Sequence, residues 1–231
     1  MRYDLVIFDL DGTLLDTVED LAAAVNHALA KRALPARSLE DVRRFIGDGV
    51  ANLIRRAVPE GTDPTLCADV LADFRRYYFQ HVDVHTHPYP GIDALLDDLA
   101  AAGIVAAVNS NKVDEAVNAL IRAHFGPRVA LALGERPDTP KKPAPDGVYA
   151  ILDALGVTGD RALYVGDGEA DLLTAKNAGV DCAWVSWGYR RAEELAEMEI
   201  PHRFDSVAAL RDFILAPSPV PSQNGPGSPS L

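Results

Sequence analysis

Three short polar segments of this sequence each follow an apolar run: Asp9-Leu10-Asp11-Gly12-Thr13, Ser110-Asn111-Lys112 and Gly166-Asp167-Gly168-Glu169-Ala170-Asp171. A fourth, Lys141-Lys142-Pro143, precedes a stretch with helical spacing. If these segments meet, four carboxylates, a hydroxyl and a lysine share one site. Carboxylates at close range cannot all stay ionised without a cation, because like charges raise one another's pKa. Mg2+ answers that demand: it prefers oxygen ligands, keeps several waters and is commonly held by one or two carboxylates together with substrate phosphate. The chemistry indicated is the handling of a phosphate ester. Each segment also has a plainer explanation. Asp suits the turn after a buried strand, Ser110 could cap the next helix, and an isolated lysine is usually solvated. The joint occurrence of all four favours the site.

The elements that must position these residues can be read from periodicity. Apolar runs at Leu5–Phe8, Ile104–Val108, Val129–Leu133, Leu163–Val165 and Cys182–Val185 alternate with helical patterns such as Ile92, Leu95, Leu96 and Leu99. Strands without a polar face, separated by helices, predict an α/β fold with a doubly wound parallel sheet covered on both sides. In such sheets ligands bind outside the carboxyl ends of the strands, where the polar segments stand.

One interval breaks the rhythm. About 90 residues separate the first two strands, where a βαβ unit takes roughly 30. The interval carries three apolar helix faces: Leu21, Val25, Ala28 and Leu29; then Val50, Leu53, Ile54 and Ala57; then Leu66, Val70, Phe74 and Tyr77. These predict a small helical cap domain over 16–87, inserted after strand one, with a catalytic core formed by 1–15 and 88–216. The exit passes through the stiff Pro88-Tyr-Pro90-Gly91. His81, His85 and His87 flank that hinge and are read as solvated. The Pro-, Ser- and Gly-rich segment 217–231 is read as a disordered tail.

Composition limits the partners. Of 231 residues, 22 are Lys or Arg and 34 are Asp or Glu, a formal charge of −12. Duplex affinity rests on cations that displace phosphate counterions, so nucleic acid is excluded as a partner. Cys67 and Cys182 lie far apart with no metal-ligand spacing and are read as buried free thiols. The N-terminus lacks the features of a secretory signal, and no apolar stretch approaches the ~20 residues of a membrane span. A soluble cytoplasmic protein, monomer or homodimer, without membrane contact, is expected. Gly166-Asp-Gly168 and Gly47-Asp-Gly49 lack the third glycine of a dinucleotide fingerprint, and no G-x-x-x-x-G-K-[ST] occurs.

The motifs D-L-D-G-T-L-L-D-T, Ser110-Asn-Lys112, K-P-x-P at Lys142–Pro145 and G-D-x-x-x-D ending at Asp171 resemble the four motifs of the haloacid dehalogenase-like superfamily. The insert, with Asp20-Leu-Ala-Ala-Ala-Val-Asn-His27 and Arg43-Arg-Phe-Ile-Gly-Asp-Gly49, resembles that of its phosphoglycolate phosphatase branch. The resemblance implies Asp9 as nucleophile, forming an aspartyl-phosphate, and Asp11 as general acid and base. It implies Mg2+ held by Asp9, the Asp11 backbone carbonyl and Asp167, with Asp171 in support. Leu10, Asp11, Ser110, Asn111 and Lys142 would bind phosphate, Lys142 being preferred to Lys141 because it directly precedes proline. Relatives usually carry Ser at the position of Gly168, and Glu169 or water would replace that hydroxyl. The cap residues Arg43, Gly47 and Gly49 are the candidates for specificity. Arg43 would meet a substrate carboxylate, with Arg44 and Lys112 as competitors.

The implied activity is Mg2+-dependent hydrolysis of a small phosphorylated metabolite, foremost 2-phosphoglycolate. A nucleotidase, pyrophosphatase or sugar phosphomutase of the same superfamily would carry the same core motifs. Outside the enzymes, a response-regulator-like phosphoacceptor uses similar chemistry. Receiver domains, however, lack a helical insert and carry the acceptor aspartate after the third strand.

Overall fold

The computed structural model describes residues 2–217, so that of the expected tail all but Pro217 lies outside the described residues. Six parallel strands form the main sheet. They are β1 (Leu5–Phe8), β4 (Val105–Val113), β5 (Leu131–Glu135), β6 (Ala162–Gly166), β7 (Asp181–Val185) and β8 (His202–Phe204), in the order β5-β4-β1-β6-β7-β8. The chain builds outward from β1 to one side through β4 and β5, then returns to the other side of β1 with β6. That reversal is a topological switch point, and the crevice between the carboxyl ends of β1 and β6 is where open α/β sheets bind ligands.

Alternation along each strand decides which layer it feeds. Val6 and Phe8 of β1, with Leu163 and Val165 of β6, face a core closed by α5 (Ile92–Ala101), α6 (Asp114–His124) and α9 (Val207–Leu215). Leu5 and Ile7, with Tyr164 and Trp184, face the opposite core under α7 (Asp146–Leu155) and α8 (Glu169–Ala178). All four β1 residues are fully buried, which is why the strand reads as a continuous apolar run.

Between β1 and β4 lie α1 (Val18–Lys31), α2 (Leu39–Phe45), α3 (Val50–Ala57) and α4 (Pro64–Gln80). They pack around an apolar cluster of their own, centred on Val25, Leu29, Ile54, Val70 and Phe74. α2 was not anticipated from the sequence. It is short, buries only Val42, and is set by a reciprocal cap in which the Ser38 hydroxyl accepts from the Asp41 amide while Asp41 accepts from the Ser38 amide. On α4 the buried tyrosine is Tyr78, and Tyr77, expected on the apolar face, is only half-buried. The segment entering these helices, β2 (Leu15–Asp16), and the one leaving them, β3 (His87–Pro88), form a two-residue antiparallel ladder. Asp20 ties the exit further: its buried carboxylate accepts from the amides of Val84, His85 and Thr86 and from the Thr86 hydroxyl. Cys182 is buried, whereas Cys67 is half-buried; both are free thiols. Among the described residues no helix is long and apolar enough to cross a membrane.

Candidate active site

Asp9 is the first residue past β1, and its amide donates to the Val165 carbonyl of β6 at 2.9 Å, fixing it at the switch point. Asp167 follows β6 directly. Asp171 stands one turn into α8, where it accepts from the Gly168 amide at 3.0 Å and closes the helix start. One oxygen from each of Asp9, Asp167 and Asp171 lies within 4.8 Å of the others, and all three residues are buried. The loop after β7, Ser186–Arg190, folds over the same edge, where the Tyr189 amide donates to Asp167 at 2.6 Å. This packing leaves no room for side chains at two glycines: a Cβ on Gly188 would fall 2.3 Å from the Gly12 carbonyl oxygen, and one on Gly12, at φ +89°, 2.7 Å from Asp167.

The second strand differs from its predicted extent. β4 continues past Val108 to Val113, and its register with β5 slips between Asn109 and Val113. Four steps along β4 there match two along β5, so Ser110-Asn111-Lys112 bulges out of the ladder at the carboxyl edge. Bulges of this kind re-aim side chains beside active sites. Ser110 does not cap α6; its hydroxyl accepts from the Lys112 amide at 3.3 Å. Asn111 accepts from the Lys142 amide (2.8 Å) and donates to the Lys142 and Gly47 carbonyls (3.2 and 3.1 Å). Its side chain is therefore occupied in positioning Lys142, and only its backbone is left for the phosphate contact assigned to it from sequence. Leu10 keeps its side chain in the core.

Lys142 is buried, with its ammonium 2.8 Å from Asp9 and 2.7 Å from Asp171. Lys141 turns instead to the Asp48 carbonyl. Asp11 has different partners: Lys112 contacts both of its oxygens, at 2.8 and 3.1 Å, and the Thr17 hydroxyl donates to Oδ1 at 2.8 Å. Asp9, Asp11, Ser110, Asn111, Lys112 and Lys142 line one small cavity, closed from the helical side by Gly47 and Gly49 among others. Arg43 stands apart. Its guanidinium is bound in two places by Glu40, at 2.9 and 2.8 Å, so it is not placed to meet a substrate.

Electrostatics define what is missing from the carboxylate cluster. Burial, the like charges of Asp171 and Asp167 adding to it and Lys142 opposing, pushes Asp9 up to about 8. Burial and the neighbouring Asp171 push Asp167 up to about 6. Three carboxylates facing one ammonium carry two surplus negative charges, and Asp9 Oδ1 is buried without a well-formed hydrogen bond despite the nearby lysine. A divalent cation matches the charge and the hard oxygen donors. The three carboxylates that could hold it are Asp9, Asp167 and Asp171, which sets Asp171 beside the other two rather than behind them.

Sequence reading missed several supporting groups. The Thr13 hydroxyl donates to Asp167 (3.3 Å), the Trp184 indole N–H to the Asp167 carbonyl (2.7 Å), and the Tyr164 hydroxyl lies 3.4 Å from Asp171. Arg190 reaches from the β7 loop to the Ile46 carbonyl and lines a second cavity with Asp167, Gly168 and Glu169. The signal for Tyr189 and Arg190 was their place just beyond the apolar run Cys182–Val185, on the ligand-binding edge.

Known proteins are similar to this chain in sequence and in fold. The Haloacid dehalogenase-like hydrolase family model matches residues 6–185. A phosphoglycolate phosphatase of Rhodospirillum rubrum is 36% identical over 222 residues, spanning 93% of this chain and 92% of the relative. One of Pseudomonas fluorescens strain Pf0-1 is 35% identical over 198 residues, 84% of this chain and 73% of the relative. Among solved structures, CbbY of Rhodobacter sphaeroides, in complex with phosphate, superimposes with a TM-score of 0.74 at 28% identity, covering 90% of this chain and 96% of that one. With the motifs at the strand ends and these relatives in agreement, the chain belongs to the haloacid dehalogenase-like hydrolases, in their phosphoglycolate phosphatase-like branch.

Proposed function

We propose that the protein is a Mg2+-dependent phosphomonoesterase that works through an aspartyl-phosphate on Asp9 and takes 2-phosphoglycolate. The observation that carries this reading is Asp9 itself: buried at the switch point, set against Lys142, Asp167 and Asp171, and opening into a cavity that also holds Asp11 and Ser110. Relatives named for phosphoglycolate at about 35% identity support the substrate.

Asp9, Asp167, Asp171 and the Asp11 backbone carbonyl would hold the ion, which when bound neutralises phosphate oxygens and the surrounding carboxylates. An Asp9 oxygen attacks phosphorus, and the ester P–O bond breaks. The leaving alkoxide takes a proton from Asp11, a contribution of typically ~10²–10⁴-fold. Asp11 then removes a proton from water as that water attacks the phosphorus, and the P–O bond to Asp9 breaks to release inorganic phosphate. Ser110 and the backbone amides around Leu10, Asp11 and Asn111 hold the equatorial oxygens. Lys142 offsets charge on Asp9 and on the phosphoryl group. The helices 16–87 act as a cap that excludes water from the closed site.

The test is phosphate release from a panel of small monoesters, nucleotides, pyrophosphate and sugar phosphates, with and without Mg2+. Metal-dependent turnover with 2-phosphoglycolate preferred is expected; equal rates on every substrate would remove the assignment. Asp9→Asn should abolish turnover in a protein with unchanged circular dichroism, and substantial residual activity in a pure sample would contradict the nucleophile.

A further inference from the structure

We infer that Lys112 receives the non-reacting anionic end of the substrate and, in doing so, releases Asp11 for chemistry; this rests on the reading of the site as a phosphomonoesterase. The lysine is carried by the β4 bulge into the cavity that holds Asp9 and Asp11, and its side chain is only 2% exposed. There it spans both Asp11 oxygens, and Thr17 takes Oδ1 as well. Asp11 so engaged is occupied on both sides and is not free to serve a leaving oxygen.

The cavity offers an exchange. The Lys112 ammonium lies 4.9 Å from the centre of the Tyr78 ring and is a donor toward its hydroxyl, which is buried and among the described residues has no acceptor for its own proton. An incoming carboxylate would present to Lys112 the same pair of oxygens that Asp11 presents now, and would give the orphaned hydroxyl an acceptor. A buried polar group left unpaired costs free energy that a matching ligand recovers. The rest of the lining, Leu21, Ile46, Val50 and Leu53, is apolar and leaves a volume of about 40 Å³. One water needs roughly 10–15 Å³ on this measure, so the space suits a group of a few heavy atoms. A carboxylate on one methylene suits that space. The lining thus suits short phosphorylated acids and couples their recognition to the freeing of Asp11.

The experiment compares 2-phosphoglycolate with ethyl phosphate, its neutral-ended counterpart, on the full chain with Mg2+, using wild type, Lys112→Met and Tyr78→Phe. Lys112→Met should raise KM for 2-phosphoglycolate roughly tenfold to hundredfold, the range of a hydrogen bond to a charged group. On ethyl phosphate, which never displaces the lysine, the same variant should raise kcat, because Asp11 is then free without a carboxylate to release it. Tyr78→Phe, which keeps the ring and its packing, should show a smaller rise in KM for 2-phosphoglycolate alone, and carries the test should Lys112→Met fail to fold. Equal losses on both esters, or an unmoved KM for 2-phosphoglycolate, would overturn the role of Lys112 while leaving the hydrolase intact. Wild type inactive on both esters would remove the hydrolase reading and this inference together, before any variant is compared.

Discussion

Asp11 and Gly168 show how far single residues can be argued. On the proposed mechanism Asp11 serves the leaving oxygen, so Asp11→Asn should slow alkyl esters, whose alkoxides need a proton, far more than activated aryl phosphates, whose leaving groups do not. Steady-state rates on 2-phosphoglycolate and 4-nitrophenyl phosphate make the comparison, and parallel losses would contradict the acid role. At Gly168 the backbone is ordinary, φ −124°, and an added Cβ would meet nothing closer than 3.5 Å. Gly168→Ser should therefore fold with unchanged melting temperature and retain kcat/KM. Those residues were legible because their types are rare in combination and their places after strands are fixed by topology. Arg43 was misjudged because spacing cannot reveal that Glu40, three residues earlier on the same helix, already holds it. Tyr78 was hidden for the opposite reason: an aromatic at helical spacing reads as core, and only the fold shows its buried hydroxyl without an acceptor among the described residues.

At the level of elements, the strands that are buried on both faces were read correctly, since a run such as Leu5–Phe8 has no polar alternate to blur it. The elements missed are those with little apolar surface: α2 buries only Val42, β8 has three residues at the sheet edge, and β2 and β3 have two each. The continuation of β4 through Ser110-Asn111-Lys112 was equally hidden, because polar residues at a bulge look like the end of a strand. The join between the helices and the sheet depends on Asp20, whose carboxylate gathers three amides and a hydroxyl in a buried setting. Asp20→Ala would strand these donors, at a cost of about 3 kcal/mol, the upper part of the range for hydrogen bonds to a charged group. A lowered denaturant midpoint should report it. An unchanged midpoint would show that water replaces the carboxylate freely.

Over the whole molecule, the buried acidic cluster ties stability to pH and to metal. Asp9 and Asp167 have folded-state pKa values raised above those of an unfolded aspartate, to about 8 and about 6. The metal-free fold therefore favours their protonated forms. Their contribution to stability is fully present below the unfolded pKa and is lost as pH rises through 6 and then 8. A divalent cation needs the ionised forms and competes with those protons. The gain in melting temperature on adding Mg2+ should thus be small at pH 5.5 and grow toward pH 8.5. Scanning fluorimetry in matched buffers would measure it, and a gain that stays flat or shrinks with pH would contradict the placement of the ion. The ladder of Leu15–Asp16 with His87–Pro88 has a consequence of another kind. Paired antiparallel residues sit only about 4.5–5.5 Å apart, so the whole excursion of the chain leaves and re-enters through a single doorway. A tight turn could bridge that gap, which makes the excursion an exchangeable module: a different one could be grafted at the same two residues without disturbing the order of the strands beneath.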